Sequence, residues 1–164
     1  MRIGYFGSPD LSATLLSALH KEFEIAFIVT NPDRPKGRSA NPVPTPVALV
    51  AEQIGCPVYK FASIKKEAGA CELLASHNAD IFLVFAYGSL IPRSIFDLPP
   101  EKTLNLHASL LPELRGASPI QSSLLRGFPV TGWTLQYITE ELDAGDILSS
   151  CEIHVLDSDR VPEL

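Results

Sequence analysis

Two apolar runs near the start of the chain, Arg2–Phe6 and Glu24–Thr30, limit what this sequence can fold into. Between them Leu11, Leu15, Leu16 and Leu19 recur at helical spacing. A Gly7-Ser8-Pro9-Asp10 turn precedes them, with Ser8 or Asp10 placed to cap the helix. Strand, helix and strand in so short a span form a βαβ unit, and that unit implies a parallel sheet. Gly4, Gly7 and Pro9 lack the third glycine of a dinucleotide fingerprint, which gives little support to NAD binding.

Composition narrows the class further. The chain has 164 residues, enough for one domain burying about 70% of the surface that its unfolded form exposes. Hydrophobic residues at 46% and charged residues at 20% are ordinary for a globular protein. No apolar run approaches the ~18 residues that would suggest a membrane span, and the first residues enter a strand without a signal-peptide pattern. A net charge of −6 argues against wholesale binding of a phosphate backbone, although a local basic loop can still serve. Cys56, Cys71 and Cys151 are odd in number and far apart, which suits reduced thiols in a cytoplasm.

From Asn31 to Pro46 the character changes. Five prolines in sixteen residues speak against regular structure, and Arg34, Lys36 and Arg38 make the segment cationic. It is either a solvated insert or a basic flap for a polyanion. Beyond it, Val47–Ile54 reads as a helix, Val58–Lys60 as a short strand and Glu67–Ser76 as a helix. Asp80–Ala86 is a strongly apolar strand, and Ile91–Leu98 a short helix before Pro99-Pro100. Ser118 and Pro119 read as N-cap and first residue of a helix that Gly127 ends. Trp133, Leu135 and Tyr137 alternate with Thr134 and Gln136 in a strand with one less apolar face. The polar turn Thr139–Asp146 follows, then a last strand over Ile147–Val155.

The stretch Thr103–Pro112 carries the chemistry. Leu104 and Leu106 alternate with Asn105 and His107, so an extended strand puts both polar side chains on one face. A buried amide and imidazole both need partners, a need most easily met at the carboxyl end of a strand. A single histidine so placed is more often a core residue bonded to a backbone carbonyl. Asp143, taken singly, reads as a turn carboxylate bonding its own backbone.

Asn105-x-His107, then Ser109-Leu110-Leu111-Pro112, then Leu142-Asp143-Ala144-Gly145-Asp146 together resemble the folate-dependent formyltransferase family. Gly7-Ser8-Pro9-Asp10, the Pro32–Arg38 loop ending in Pro44-Thr45-Pro46-Val47, Ala86-Tyr87-Gly88 and Arg115–Gln121 fit as well. The resemblance spans essentially the whole chain. It implies an α/β, Rossmann-like three-layer fold, a mostly parallel twisted sheet with helices on both faces. It also implies a catalytic domain over residues 1–164, since family members continue further and add a small C-terminal β-barrel. The implied reaction passes the formyl group of 10-formyltetrahydrofolate to the α-amino group of initiator methionyl-tRNA. No metal and no membrane are implied, and a monomer is the expected state.

Carried over by position, the catalytic trio is Asn105, His107 and Asp143. The folate pocket falls to Phe85, Ala86, Tyr87, Gly88 and Ile91, to Leu110, and to Glu140, Glu141, Leu142 and Asp143. Substrate contacts fall to Ser8, Pro9 and Asp10, to Arg34, Lys36 and Arg38, and to Ser109, Leu110, Leu111, Pro112, Arg115 and Gly116. Family members often continue the basic loop with lysines, where this chain has Ala40-Asn41-Pro42. Formyl transfer to an amine passes through a tetrahedral carbon bearing an oxyanion. Asn105 and His107 offer donors from one strand face, and Asp143 holds His107 in its donating form. The alternatives are a same-fold formyltransferase acting on an amino sugar nucleotide or glycinamide ribonucleotide, or a non-catalytic Rossmann nucleotide-binding module.

Overall fold

The apolar runs of the first half lie between turn residues, and in the computed structural model they pair in parallel. The structure describes residues 1–35 and 41–164. They divide into two compact units, Met1–Thr103 and Leu104–Leu164.

In the first unit, β1 (Arg2–Gly7), α1 (Asp10–Leu19) and β2 (Glu24–Thr30) form the expected βαβ unit. Two residue pairs follow: β3 (Arg34–Pro35) and β4 (Pro42–Val43). Next come α2 (Pro46–Gln53), β5 (Val58–Lys60), α3 (Ala70–Ala75), β6 (Ile81–Phe85) and α4 (Arg93–Phe96). The parallel strands run in the order β5-β2-β1-β6. Phe6, Phe27 and Phe82 meet on one face of this sheet, Phe27 and Phe82 edge to face at 5.2 Å. Gly4 is required there, because a Cβ on β1 would run into both the Phe27 and Phe82 rings. Tyr5, Leu16, Ile28 and Val29 complete a fully buried core.

Several local expectations need correction. The proline-rich segment is not free of regular structure, since Arg34 pairs with Val43 and Pro35 with Pro42 in an antiparallel ladder. Proline lacks a donor but still offers a carbonyl, and a two-residue ladder tolerates it. Neither Ser8 nor Asp10 caps α1; Pro9 holds that position, and the Ser8 hydroxyl accepts hydrogen bonds from Asn31 instead. The helix expected over Glu67–Ser76 is only Ala70–Ala75, with a 3-10 turn at Ile64–Lys66 before it. Thr45 does cap α2, accepting from the Ala48 N–H at 3.1 Å.

In the second unit, β7 (Thr103–His107), β8 (Val130–Tyr137) and β9 (Ile147–His154) form antiparallel pairs, with α5 (Pro119–Leu125) between β7 and β8. Ser118 stands at the N-cap of α5 before Pro119, but its side chain makes no capping bond. Apart from the two-residue β3–β4 ladder, which forms a separate sheet, three parallel pairings in the first unit against two antiparallel ones in the second give a mostly parallel α/β protein. No helix among the described residues is long and apolar enough to cross a membrane.

Candidate functional site

The pleat of β7 does what its alternation requires: Asn105 and His107 share one face. The antiparallel register sets Gln136 opposite Asn105 and Thr134 opposite His107. Four polar side chains therefore form a two-by-two patch on adjacent strands. His107, Thr134 and Gln136 are all buried. Such a cluster persists only if its members satisfy one another.

Asp143 supplies most of that satisfaction. It lies in the turn after β8 with φ of 50°, a left-handed conformation that aspartate tolerates better than most residues. Its side chain is only 7% exposed, although the turn backbone is more open. One carboxylate oxygen, Oδ2, accepts the Gly116 N–H at 2.8 Å. The other, Oδ1, accepts from Gln136 Nε2 at 3.2 Å and Asn105 Nδ2 at 3.4 Å. His107 Nδ1 stands 3.5 Å from the same Oδ1, a close contact longer than an ordinary hydrogen bond. Amide, imidazole and carboxylate, separated by up to 38 positions, thus converge. Asp143 is no ordinary turn carboxylate.

The other ring nitrogen of His107 is also engaged. Nε2 lies 3.0 Å from the Leu114 carbonyl oxygen, and since a carbonyl only accepts, Nε2 carries the proton. The carbonyl bond typical of a core histidine is therefore present alongside the carboxylate contact. His107 thus donates a ring N–H within the chain: Leu114, at φ of 57°, turns its carbonyl onto that proton.

The loop between β7 and α5 is pinned from β8. The Thr134 hydroxyl donates to the Ser109 carbonyl at 2.6 Å and accepts the Leu111 N–H at 3.1 Å. Ser109 donates to the Glu113 carbonyl at 2.6 Å, Leu110 packs beside Gly132, and Pro112 is exposed. Arg115 pairs with Glu141 at 3.6 Å across exposed side chains. Glu140 and Leu142 are exposed, Leu142 by 61%. Gly145 closes the turn that carries Asp143, where a Cβ would overlap the Tyr137 carbonyl oxygen.

In the first unit, Ser8 Oγ accepts both the backbone N–H and the side-chain amide of Asn31, and that amide also donates to the Tyr87 carbonyl at 2.7 Å. Ser89 donates to Asn31 Oδ1 at 3.3 Å. The network joins residues at the carboxyl ends of β1, β2 and β6, the usual ligand edge of a parallel sheet. Ala86 (φ 50°) and Gly88 (φ 77°) shape the turn after the buried Phe85. The Tyr87 ring is buried, which pushes its phenol up to about 12, while Ile91 is half-buried. Pro9, Asp10 and Arg34 are exposed; Lys36 and Arg38 lie outside the described residues. Among the described residues no three His, Cys, Asp or Glu side chains are placed to hold a metal ion.

Gln136, Thr134, Leu114 and Asn31 were not singled out from the sequence. For the first two a signal existed, since the polar face of β8 has to join the polar face of whichever strand it pairs with.

The formyl transferase family model matches residues 1–164. A methionyl-tRNA formyltransferase of Leptospira interrogans is 47% identical over 167 residues, covering 100% of this chain and 53% of that protein. One from Thermus thermophilus is 40% identical, covering 98% of this chain and 53% of its own length. The chain thus spans about half the length of the curated relatives it matches. Among solved structures, a phosphoribosylglycinamide formyltransferase from Streptococcus pneumoniae superposes with a TM-score of 0.79 at 23% identity. That match covers 98% of this chain and 86% of the other, and it speaks for the fold alone. With the family model matched from end to end, the chain belongs to the formyl transferase family.

Proposed function

We propose that this chain carries the chemistry transferring a formyl group from 10-formyltetrahydrofolate to the α-amino group of methionine on initiator methionyl-tRNA. The observation that carries the proposal is the convergence of Asn105, His107 and Gln136 on the buried carboxylate of Asp143. The names of the relatives at 47% and 40% identity support the choice of acceptor.

The substrate amine is the nucleophile, so no side chain has to form a covalent bond. As its nitrogen attacks the formyl carbon, negative charge gathers on the formyl oxygen. Donors already in place there typically contribute about 2.7–4 kcal/mol. Asn105 spends one amide N–H on Asp143 and keeps a second for that oxygen. His107 supplies a further donor, and Asp143 holds both partners while offering a base for the amine proton through a water; as the tetrahedral carbon collapses its bond to N10 breaks, and that proton passes to N10 of the departing tetrahydrofolate. Leu110 and the turn Glu140–Asp143 are assigned to folate within the second unit. The turn Phe85–Ile91 is assigned the same role by family resemblance. Arg34, Lys36 and Arg38 are assigned to tRNA phosphates, and a cytoplasmic location follows from such a substrate.

The test offers the protein labelled 10-formyltetrahydrofolate with initiator methionyl-tRNA and glycinamide ribonucleotide in competition. Label is expected on methionine, and His107→Ala is expected to lower turnover by about 10²-fold while the fold survives. Label on the ribonucleotide, or undiminished turnover in the variant, would overturn the assignment.

A further inference from the structure

Gln136 belongs to the same hydrogen-bonded set as the catalytic trio, and nothing above gives it a task. It is 2% exposed and stands directly opposite Asn105 across the β7–β8 ladder. A carboxylate oxygen only accepts, so the 3.2 Å contact with Asp143 Oδ1 orients the amide: Nε2 faces Asp143 and Oε1 faces away. That Oε1 is itself buried and meets no donor among the described residues. A buried amide with an unpaired oxygen is disfavoured against an apolar side chain of equal size. Packing alone gives no reason for glutamine here.

We propose that Gln136 is a positioning residue for formyl transfer, its amide N–H fixing Asp143 Oδ1 beside His107 Nδ1. The inference rests on the formyl-transfer reading above. Asn105 reaches the same oxygen at 3.4 Å and His107 at 3.5 Å, both longer than the Gln136 contact. Gln136 is thus the firmest side-chain restraint on Oδ1, while the Gly116 N–H restrains Oδ2 at 2.8 Å. The ionisable groups facing the amide and its partner are Asp143, from the turn after β8, and His107, from β7. Arg115 and Glu141 pair with each other near the surface.

Two near-isosteric variants separate positioning from packing. Gln136→Met keeps the shape and loses donation, whereas Gln136→Glu keeps the shape and sets a second carboxylate against Asp143. At neutral pH kcat is expected to fall about 10-fold for Met and about 100-fold for Glu, with KM for 10-formyltetrahydrofolate changed less than about two-fold. Acidification should restore the Glu variant past the Met level toward the parent, because a protonated carboxyl donates as the amide does. Equal losses at every pH, no loss, or a change confined to KM would overturn the proposal. If the parent protein transfers no formyl group, the functional reading fails, and Gln136 is judged by NMR. The ring-nitrogen resonances of His107 should then move in Gln136→Glu, and unmoved resonances would overturn the positioning role.

Discussion

Asp143→Asn is the most informative single change, because it keeps the shape of the side chain and alters only what its two oxygens can do. Asparagine tolerates the left-handed φ of 50° at this position, so backbone strain adds little. Its one remaining oxygen has to choose. If it keeps the Gly116 N–H at 2.8 Å, the new amide group is turned toward Gln136 and Asn105, donor against donor. With the side chain 7% exposed, water cannot replace the lost acceptor. Each buried donor left unpaired costs about 1–3 kcal/mol, and the 3.4 Å contact belongs at the low end of that range. The sum is about 2–4 kcal/mol, or a melting temperature lower by about 4–16 °C for a chain of this size. Urea denaturation of parent, Asp143→Asn, Gln136→Met and the double variant closes a cycle. A coupling of about 1 kcal/mol or more is expected between positions 136 and 143. A loss below about 0.5 kcal/mol for Asp143→Asn would refute the picture of a carboxylate that its neighbours depend on.

Two further outcomes follow from burial and close approach. Gly145→Ala forces a methyl group against the Tyr137 carbonyl oxygen and should destabilise the protein by about 1–3 kcal/mol, measured by thermal unfolding; an unchanged midpoint would show that the turn yields freely. Burial raises the Tyr87 phenol from 10.0 to about 12, so the folded state resists an ionisation that the unfolded chain undergoes first. That stabilisation is present below pH 10 and lost as pH rises toward about 12. Tyr87→Phe should flatten the fall in urea midpoint across this window, and an identical slope would refute it. The same variant should be neutral or stabilising near pH 7, because the buried hydroxyl has no partner among the described residues.

How much of this was legible beforehand depended on the range of the interaction. The apolar runs of β1, β2 and β6 and the alternation in β7 are local patterns, and the structure reproduces them within a residue or two. The cap of α1 falls to Pro9 rather than Ser8 because Ser8 has a competing partner, Asn31, that lies 23 positions away. The link between Asn105 and Asp143 spans 38 positions and could be suspected only through family resemblance, since no periodicity reports it. Gln136 escaped because its neighbourhood depends on the register of β8 against β7, which neither strand encodes alone. Leu114 left no trace, for it acts through its backbone carbonyl and an unusual φ rather than its side chain.

That backbone carbonyl makes the imidazole a contested donor. With one ring nitrogen committed to Leu114 and the other turned to Asp143, His107 can serve an incoming oxyanion only by abandoning a present acceptor. A hydrogen bond to a charged acceptor is worth about 1.5–3 kcal/mol, against about 0.5–1.5 kcal/mol for a neutral one, so developing charge outbids the peptide while a neutral formyl oxygen does not. In the proposed reaction Leu114 would be a rival ligand for the ring proton, which the histidine would yield to the reacting oxygen only once that oxygen is charged.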